Sequence, residues 1–460
     1  MPANLTRHVL ELIRLAGPVV VTRAGILTMA LVDVVMVGRY STQEIAYLAI
    51  GNAPVVTLIV TSVGLMMGTL VMTAKAFGAG ELVQCGVVWR RSVPYGFVIG
   101  LIGLLSCAFG EQLLLLSGQT PDLSRGGGTV MLVLGLGLPA NLVFVAGNFF
   151  LEAIKRPLPG MAAMVGVNLL NVLLNWVLIY GHWGFPALGA AGSAWATTLC
   201  RIALAVMIVA FLWNMRDHKD FGIRIPGFSR WRDWADQRRL GYASGLGGAV
   251  ESSAFSILTL FAGWLGTYQL AAFSIATNLI ALIFMVALGF GTATAVRVGF
   301  AYGRRDPQEL ALAGWTGLGL NTVVMCLLGA VLFVFPGTLA SIYSSDPELI
   351  ALAAPLIGFT AFVMIADGGQ VVMVSTLRGR GDAWLPVAMY VFCFYGLMVP
   401  LSWWFAFKLD QQALGLYQGI LITSVVSILM LALRFHWLSR RDNAFFGTQE
   451  DKAVYVRESS

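Results

Sequence analysis

About twelve apolar stretches, each roughly 20 residues or longer and able to cross a bilayer as a helix, follow one another along this chain. They lie at approximately 15–38, 45–74, 92–116, 127–154, 160–181, 188–214, 240–266, 269–301, 310–340, 349–377, 384–407 and 412–438. Only 11% of the 460 residues are charged and 58% are hydrophobic, a balance foreign to soluble domains of this length. In hydrocarbon, backbone N–H and C=O groups must be satisfied internally, so such runs fold as helices. The first stretch is too long for a signal-peptide core and contains Asp33, so it reads as a retained span.

Charge placement gives the orientation. Arg39, Arg125 and Lys408 fall near one set of span ends, and Arg23 and Arg201 fall within spans. Most other basic residues gather at the opposite ends and at the termini, including Arg90 and Arg91, Lys155 and Arg156, Arg304 and Arg305, and Arg378 and Arg380. The positive-inside rule then makes both termini cytoplasmic, as an even number of spans requires. The net charge of +6 therefore reflects topology, not nucleic-acid binding. The five cysteines are dispersed and form no CxxC pair, so they read as core residues.

The two halves of the chain echo each other. GTLVMTAKAFGAG from Gly68 aligns with GTATAVRVGFAYG from Gly291, and Ile154-Lys155 falls on Leu377-Arg378 at the same offset. The expected fold class is an all-α polytopic membrane protein with twelve transmembrane helices in two pseudo-symmetric six-helix lobes. Its expected parts are a cytoplasmic N-terminus (1–14), an N-lobe (15–214), a cytoplasmic inter-lobe loop (215–239), a C-lobe (240–438) and a cytoplasmic tail (439–460), irregular after about Arg440. Six spans per half make the repeat parallel, with a substrate cavity expected between the bundles.

Against the apolar background, Asp33, Glu251 and Asp367 stand out as isolated intramembrane carboxylates. Each costs roughly 2.5–3.5 kcal/mol on insertion scales, so such groups face a cavity or a partner and mark ion pathways. Glu251 lies 12 residues beyond Arg239 and Asp367 lies 11 before Arg378. At helical rise both reach about 17–18 Å from that side. A pair of acids at one depth binds one cation between them or shares one proton, so Glu251 and Asp367 are candidate metal ligands if the ion is sodium. Asp33, Asn175 and Thr197 each lie 19 residues from Arg14, Arg156 and Arg216 respectively, and Asn171 is one turn from Asn175 on the same face. These oxygens suit a hard cation or a protonated acid. Arg201, one turn from Thr197, either opposes Asp33 or pairs with a carbonyl. Asn168 reads as structural, Arg23 as snorkelling or paired within the first lobe, and Glu152 as a local partner of Lys155 and Arg156.

These segments together resemble the multidrug and toxic compound extrusion (MATE) transporters, in particular the bacterial NorM-like branch. The resemblance rests on VDVVMVG around Asp33, GTLVMTAKAFGAGE, NLLNVLLNWVLIYG followed by LGAAGSAWAT, Glu251, and ADGGQVVMVSTLRGRGD around Asp367. It implies two six-helix lobes opening alternately to either side. It also implies export of organic, often cationic, compounds in exchange for sodium ions or protons. The first-lobe cluster resembles the family's coupling site, though some relatives carry a second acid where this chain has Asn175. In the second lobe the family's pattern sometimes adds a tyrosine at the position of Val363.

Other functions lack their motifs. There is no Gly-Lys dipeptide and hence no Walker A loop, no HExxH and no GxSxG. The four histidines lie near ends or loops. An antiporter is the first expectation, and no enzyme activity is expected. No cofactor is expected beyond a coupling H+ or Na+. Its partners would be small organic substrates and the lipid bilayer, not nucleic acid, and it would act as a monomer in the bacterial cytoplasmic membrane. The alternatives are a flippase for lipid-linked precursors, whose cationic lumen only Arg23, Arg201 and Arg297 hint at, and a membrane enzyme or scaffold.

Overall fold

The computed structural model describes residues 2–225 and 230–458, with side chains over 8–225 and 230–442; the centre of the long middle connection, at 226–229, lies outside them. Among the described residues the chain is helical, with no strand. The first half carries α1 (Pro2–Tyr40), α2 (Thr42–Gly78), α3 (Leu82–Ala108), α4 (Gly110–Leu116), α5 (Pro121–Leu136), α6 (Leu138–Ala153), α7 (Leu158–Tyr180) and α8 (Gly189–Trp213). The second carries α9 (Ala235–Trp264), α10 (Thr267–Gly303), α11 (Pro307–Val334), α12 (Pro336–Tyr343), α13 (Pro347–Arg380), α14 (Trp384–Val391), α15 (Val399–Trp403) and α16 (Gln412–Glu458). Among the described residues eleven helices are long and apolar enough to span a membrane, or twelve if the bent pair α5–α6 is one span.

Local sequence sets the starts and stops. Thr120-Pro121, Asp306-Pro307 and Asp346-Pro347 each place an oxygen at the cap and a proline at the first turn. The cap side chains accept from Leu123, Glu309 and Glu348 backbone N–H groups. Gly181 and Gly381 end α7 and α13 in the left-handed region, which favours glycine (φ 77° and 103°).

The fourth apolar stretch, expected as one long span, is broken at Gly137 with a 40° bend. Pro139 supplies no N–H at the start of α6, and carbonyls in the last turn of α5 take side-chain donors from α8. Thr198 Oγ donates to the Val133 carbonyl at 2.7 Å, and Arg201 Nη1 donates to Leu134 at 3.1 Å. In the eleventh span, π-helical turns at Phe392–Met398 and Trp404–Lys408 flank Pro400. The stretch after Arg440, expected to be irregular, instead continues α16 to Glu458. Helix extension adds one bond per residue fixed, whereas a fresh start requires a costly nucleus.

The chain divides into two compact units, residues 21–77 with 81–245, and residues 1–20 with 78–80 and 246–460. Small residues let backbones meet within each. A Cβ on Gly68 would lie 1.9 Å from the Gln237 carbonyl oxygen in the first, and one on Gly379 would lie 2.6 Å from the Ala295 carbonyl in the second.

Outside the spans, Arg156 holds Asp217 through Nη1–Oδ1 at 3.0 Å and Nη2–Oδ2 at 2.6 Å. That hydrogen bonding holds the Asp217 carboxyl below its ordinary value of 3.8. A depressed carboxylate stabilises the fold above its unfolded pKa, and the contribution disappears as pH falls through the folded value. Both side chains are partly exposed, so Asp217→Asn is expected to cost less than about 1 kcal/mol at pH 7. Thermal unfolding of the two proteins should converge once the pH falls below the folded value of that carboxyl; a gap that persists there would assign the loss to another contact.

Candidate functional site

Three helices of the first unit converge on Asp33. Asn171 and Asn175, one turn apart on α7, both donate through Nδ2 to Asp33 Oδ1, at 3.2 and 2.7 Å. Thr197 on α8 donates through Oγ1 to Oδ2 at 2.6 Å. A fourth bond, Asn175 Nδ2 to Asn171 Oδ1 at 3.1 Å, ties the amides together. All four side chains are buried. The structure thus brings together the residues that sequence depth grouped, and the carboxylate accepts three hydrogen bonds as an anion would. Asn175 Oδ1 is buried with no hydrogen-bond partner among the described residues. Rotation of the two amides would present oxygens in place of N–H donors, so the same residues can serve an anionic, a protonated or a cation-bound Asp33.

Arg201 resolves its two expected roles in favour of the carbonyl. Its guanidinium caps the broken fourth span at Leu134, where a cation complements a helix C-terminus, while remaining within electrostatic reach of Asp33. Asn168 donates to the Met164 carbonyl of its own helix and takes no part in the cluster.

The second unit holds the acid pair. Glu251 on α9 and Asp367 on α13 interact electrostatically, and Ser424 on α16 donates to Asp367 Oδ1 at 3.4 Å. Asp367 is buried and Glu251 half-buried. Two further groups that sequence reasoning missed, Arg378 and Tyr390, interact electrostatically with Glu251, and Tyr390 with Asp367 as well. Arg378, used there as a marker of the cytoplasmic end, turns inward and interacts electrostatically with Glu251 and with Tyr390 of α14. The only signal was its place in the LRGRGD segment, two residues before a second arginine that points elsewhere, to Asp442 at 2.5 Å.

Glu152 corrects another expectation. It is buried and bound not to Lys155 or Arg156 but to Asn148 Nδ2 at 2.6 Å, with Arg23 Nη2 at 3.9 Å from Oε2. The helix ends at Ala153 and Lys155 takes a left-handed conformation (φ 61°), so the following cations leave the face that Glu152 occupies. Arg297 is likewise committed, 3.6 Å from Glu11 and donating to the His8 carbonyl. The three arginines that hinted at a cationic lumen therefore each have a local partner.

The MatE family profile matches the chain twice, over residues 18–177 and 243–404, once in each half of the repeat. A probable multidrug resistance protein NorM of Caulobacter vibrioides is 37% identical over 94% of this chain and 92% of its own length. The multidrug resistance protein PmpM of Pseudomonas aeruginosa is 31% identical over the same shares. Among solved structures, the eukaryotic MATE transporter AtDTX14 shares the fold with a TM-score of 0.86 at 18% identity, covering 96% of this chain and 99% of that one. An outward-facing multidrug resistance MATE transporter gives 0.87 at 20% identity, covering 94% and 96%.

Proposed function

The chain belongs to the MATE family of multidrug transporters, and from that membership and its buried acids we propose that it exports amphipathic organic compounds, often cations, in exchange for entering protons. It is a multi-pass membrane transporter and not an enzyme. The observation that carries the coupling is the pair of acidic stations, Asp33 with its three neutral donors and Glu251 with Asp367. Buried carboxylates that an ion can neutralise give that ion different affinities for two conformations, which is all that coupling requires. A proton is favoured over sodium at the pair because few oxygens are at hand: among the described residues it is the Ser424 hydroxyl that hydrogen-bonds Asp367. Val363 stands where relatives sometimes have a tyrosine, which removes a further oxygen. The two six-span halves are read as the lobes that alternate access, in a monomer of the bacterial inner membrane with cytoplasmic termini.

Proteoliposomes loaded with a fluorescent organic cation test this with proton and sodium gradients applied separately. The proton gradient is expected to drive movement of the dye and the sodium gradient at matched pH is not. Dye movement driven by sodium alone would overturn the choice of ion, and none under either gradient would overturn antiport.

A further inference from the structure

The last span carries a graded stripe on its outer surface. Leu429, Leu433, Trp437 and Arg441 follow one another at four-residue steps along one face of α16. The two leucines and the indole are 57%, 68% and 51% exposed, and Arg441 is exposed beyond them. From Leu429 to Arg441 the helix rises about 18 Å, close to the depth of one leaflet, whose hydrocarbon half is about 15 Å. Two guanidiniums lie against the Trp437 ring, Arg434 at 4.9 Å and Arg441 at 5.7 Å. Beside it, the exposed His436 ring meets Trp315 of α11 at 6.4 Å, and Arg440 follows His436 by one turn. Indoles on two helices thus mark a headgroup level, with Arg440 and Arg441 just outside it. The nearby carboxylates are already engaged. Arg434 Nε donates to Asp382 at 3.0 Å, and Arg380 holds Asp442 through Nε at 2.6 Å and Nη2 at 2.5 Å. Arg440 and Arg441 have no carboxylate partner among the described residues.

We propose that Arg440 and Arg441 bind the phosphate of an anionic phospholipid whose acyl chain lies along Leu433 and Leu429. Guanidinium forks match phosphate oxygens and can donate two hydrogen bonds at once. The contact with Trp437 keeps the Arg441 stem over the interface, so less side-chain freedom is lost when a headgroup arrives. The apolar face below the arginines selects a lipid over a free anion, because a soluble phosphate would leave that surface uncovered. A zwitterionic headgroup brings its own cation, which competes with the two guanidiniums for the phosphate, so anionic lipids are preferred. The site lies on the outer face of α16, apart from the buried acids, and it requires neither a coupling ion nor a transported substrate.

The test uses the full-length protein with phosphatidylglycerol, phosphatidylcholine and inorganic phosphate as separate probes. Native mass spectrometry reads the lipid retained, and thermal unfolding reads its stabilising effect. Wild type is expected to retain phosphatidylglycerol in preference to phosphatidylcholine, and inorganic phosphate should displace it no better than chloride at the same ionic strength. Arg440→Gln with Arg441→Gln should weaken that preference about 25-fold, at about fivefold for each arginine. Arg440→Lys with Arg441→Lys should keep most of it, since both charges survive. Dye transport in phosphatidylcholine vesicles should be the same for all three proteins, which separates this site from the transport machinery. Should the double glutamine variant fail to fold, high salt on the wild type gives a second reading, because it screens exposed charges and should remove the preference. A preference that survives the double glutamine substitution, or survives high salt where that variant is unfolded, overturns the proposal. Displacement by inorganic phosphate beyond that by chloride would make this a soluble-anion site and overturn the lipid.

Discussion

Asp367→Asn and Glu251→Gln are each expected to reduce proton-driven export at least tenfold, while the protein is still produced and inserted. Coupling free energies of ordinary size correspond to about 5–150-fold, and removing one of two acids at a shared site should forfeit most of that. Both changes are nearly isosteric. An asparagine at 367 can still accept the Ser424 hydroxyl, and Glu251 is half-buried, so neither leaves a cavity in the core. What disappears is the ability of the pair to change charge. Passive exchange of dye between two sides at equal pH needs no such change and should persist. Efflux from energised vesicles and counterflow without a gradient separate the two. Wild-type efflux by either variant would remove the pair from the coupling mechanism, and loss of counterflow together with efflux would point to damage to the fold.

The acids were legible in the sequence because charge is so scarce around them. Asp33, Glu251 and Asp367 each interrupt an apolar run, and helical rise counted from the basic ends groups Asp33 with Asn171, Asn175 and Thr197, which hydrogen-bond to it. Rise per residue is a backbone quantity, and it places Cα atoms well. It places the ends of long side chains poorly. Arg378 stands near a helix end by residue count, yet its flexible stem reaches back to Gly247 beside Glu251. Glu152 failed for a related reason: a sequence neighbour shares a face only while the helix continues, and it stops one residue later. Gly-Leu-Pro at 137–139 does not by itself mark a break, because prolines at 18, 54, 94 and 355 stay inside continuous helices in this same chain. At this break Thr198 and Arg201 donate to carbonyls in the last turn of α5, and neither is near in sequence.

Asp33→Asn should lower transport as severely as loss of either acid of the pair, by at least about tenfold, but through a different physical route. The carboxylate accepts three hydrogen bonds, two of them at 2.7 Å or less, and bonds to a charged acceptor contribute about 1.5–3 kcal/mol each. An asparagine keeps one oxygen for α7 and turns an N–H₂ toward Thr197, whose hydroxyl can reverse and accept. Much of the packing therefore survives and the charge does not. Asp33→Asn with Asn175→Asp separates the two contributions, because it returns a carboxylate to the cluster at the atom 2.7 Å away. If the cluster works by holding one titratable carboxyl among neutral oxygens, the double variant should recover part of the proton-driven transport that Asp33→Asn loses. Recovery of thermal stability without transport would make the exact position of the charge on α1 essential. Unchanged transport in Asp33→Asn alone would reduce the cluster to a staple between α1, α7 and α8, and leave coupling to the acid pair.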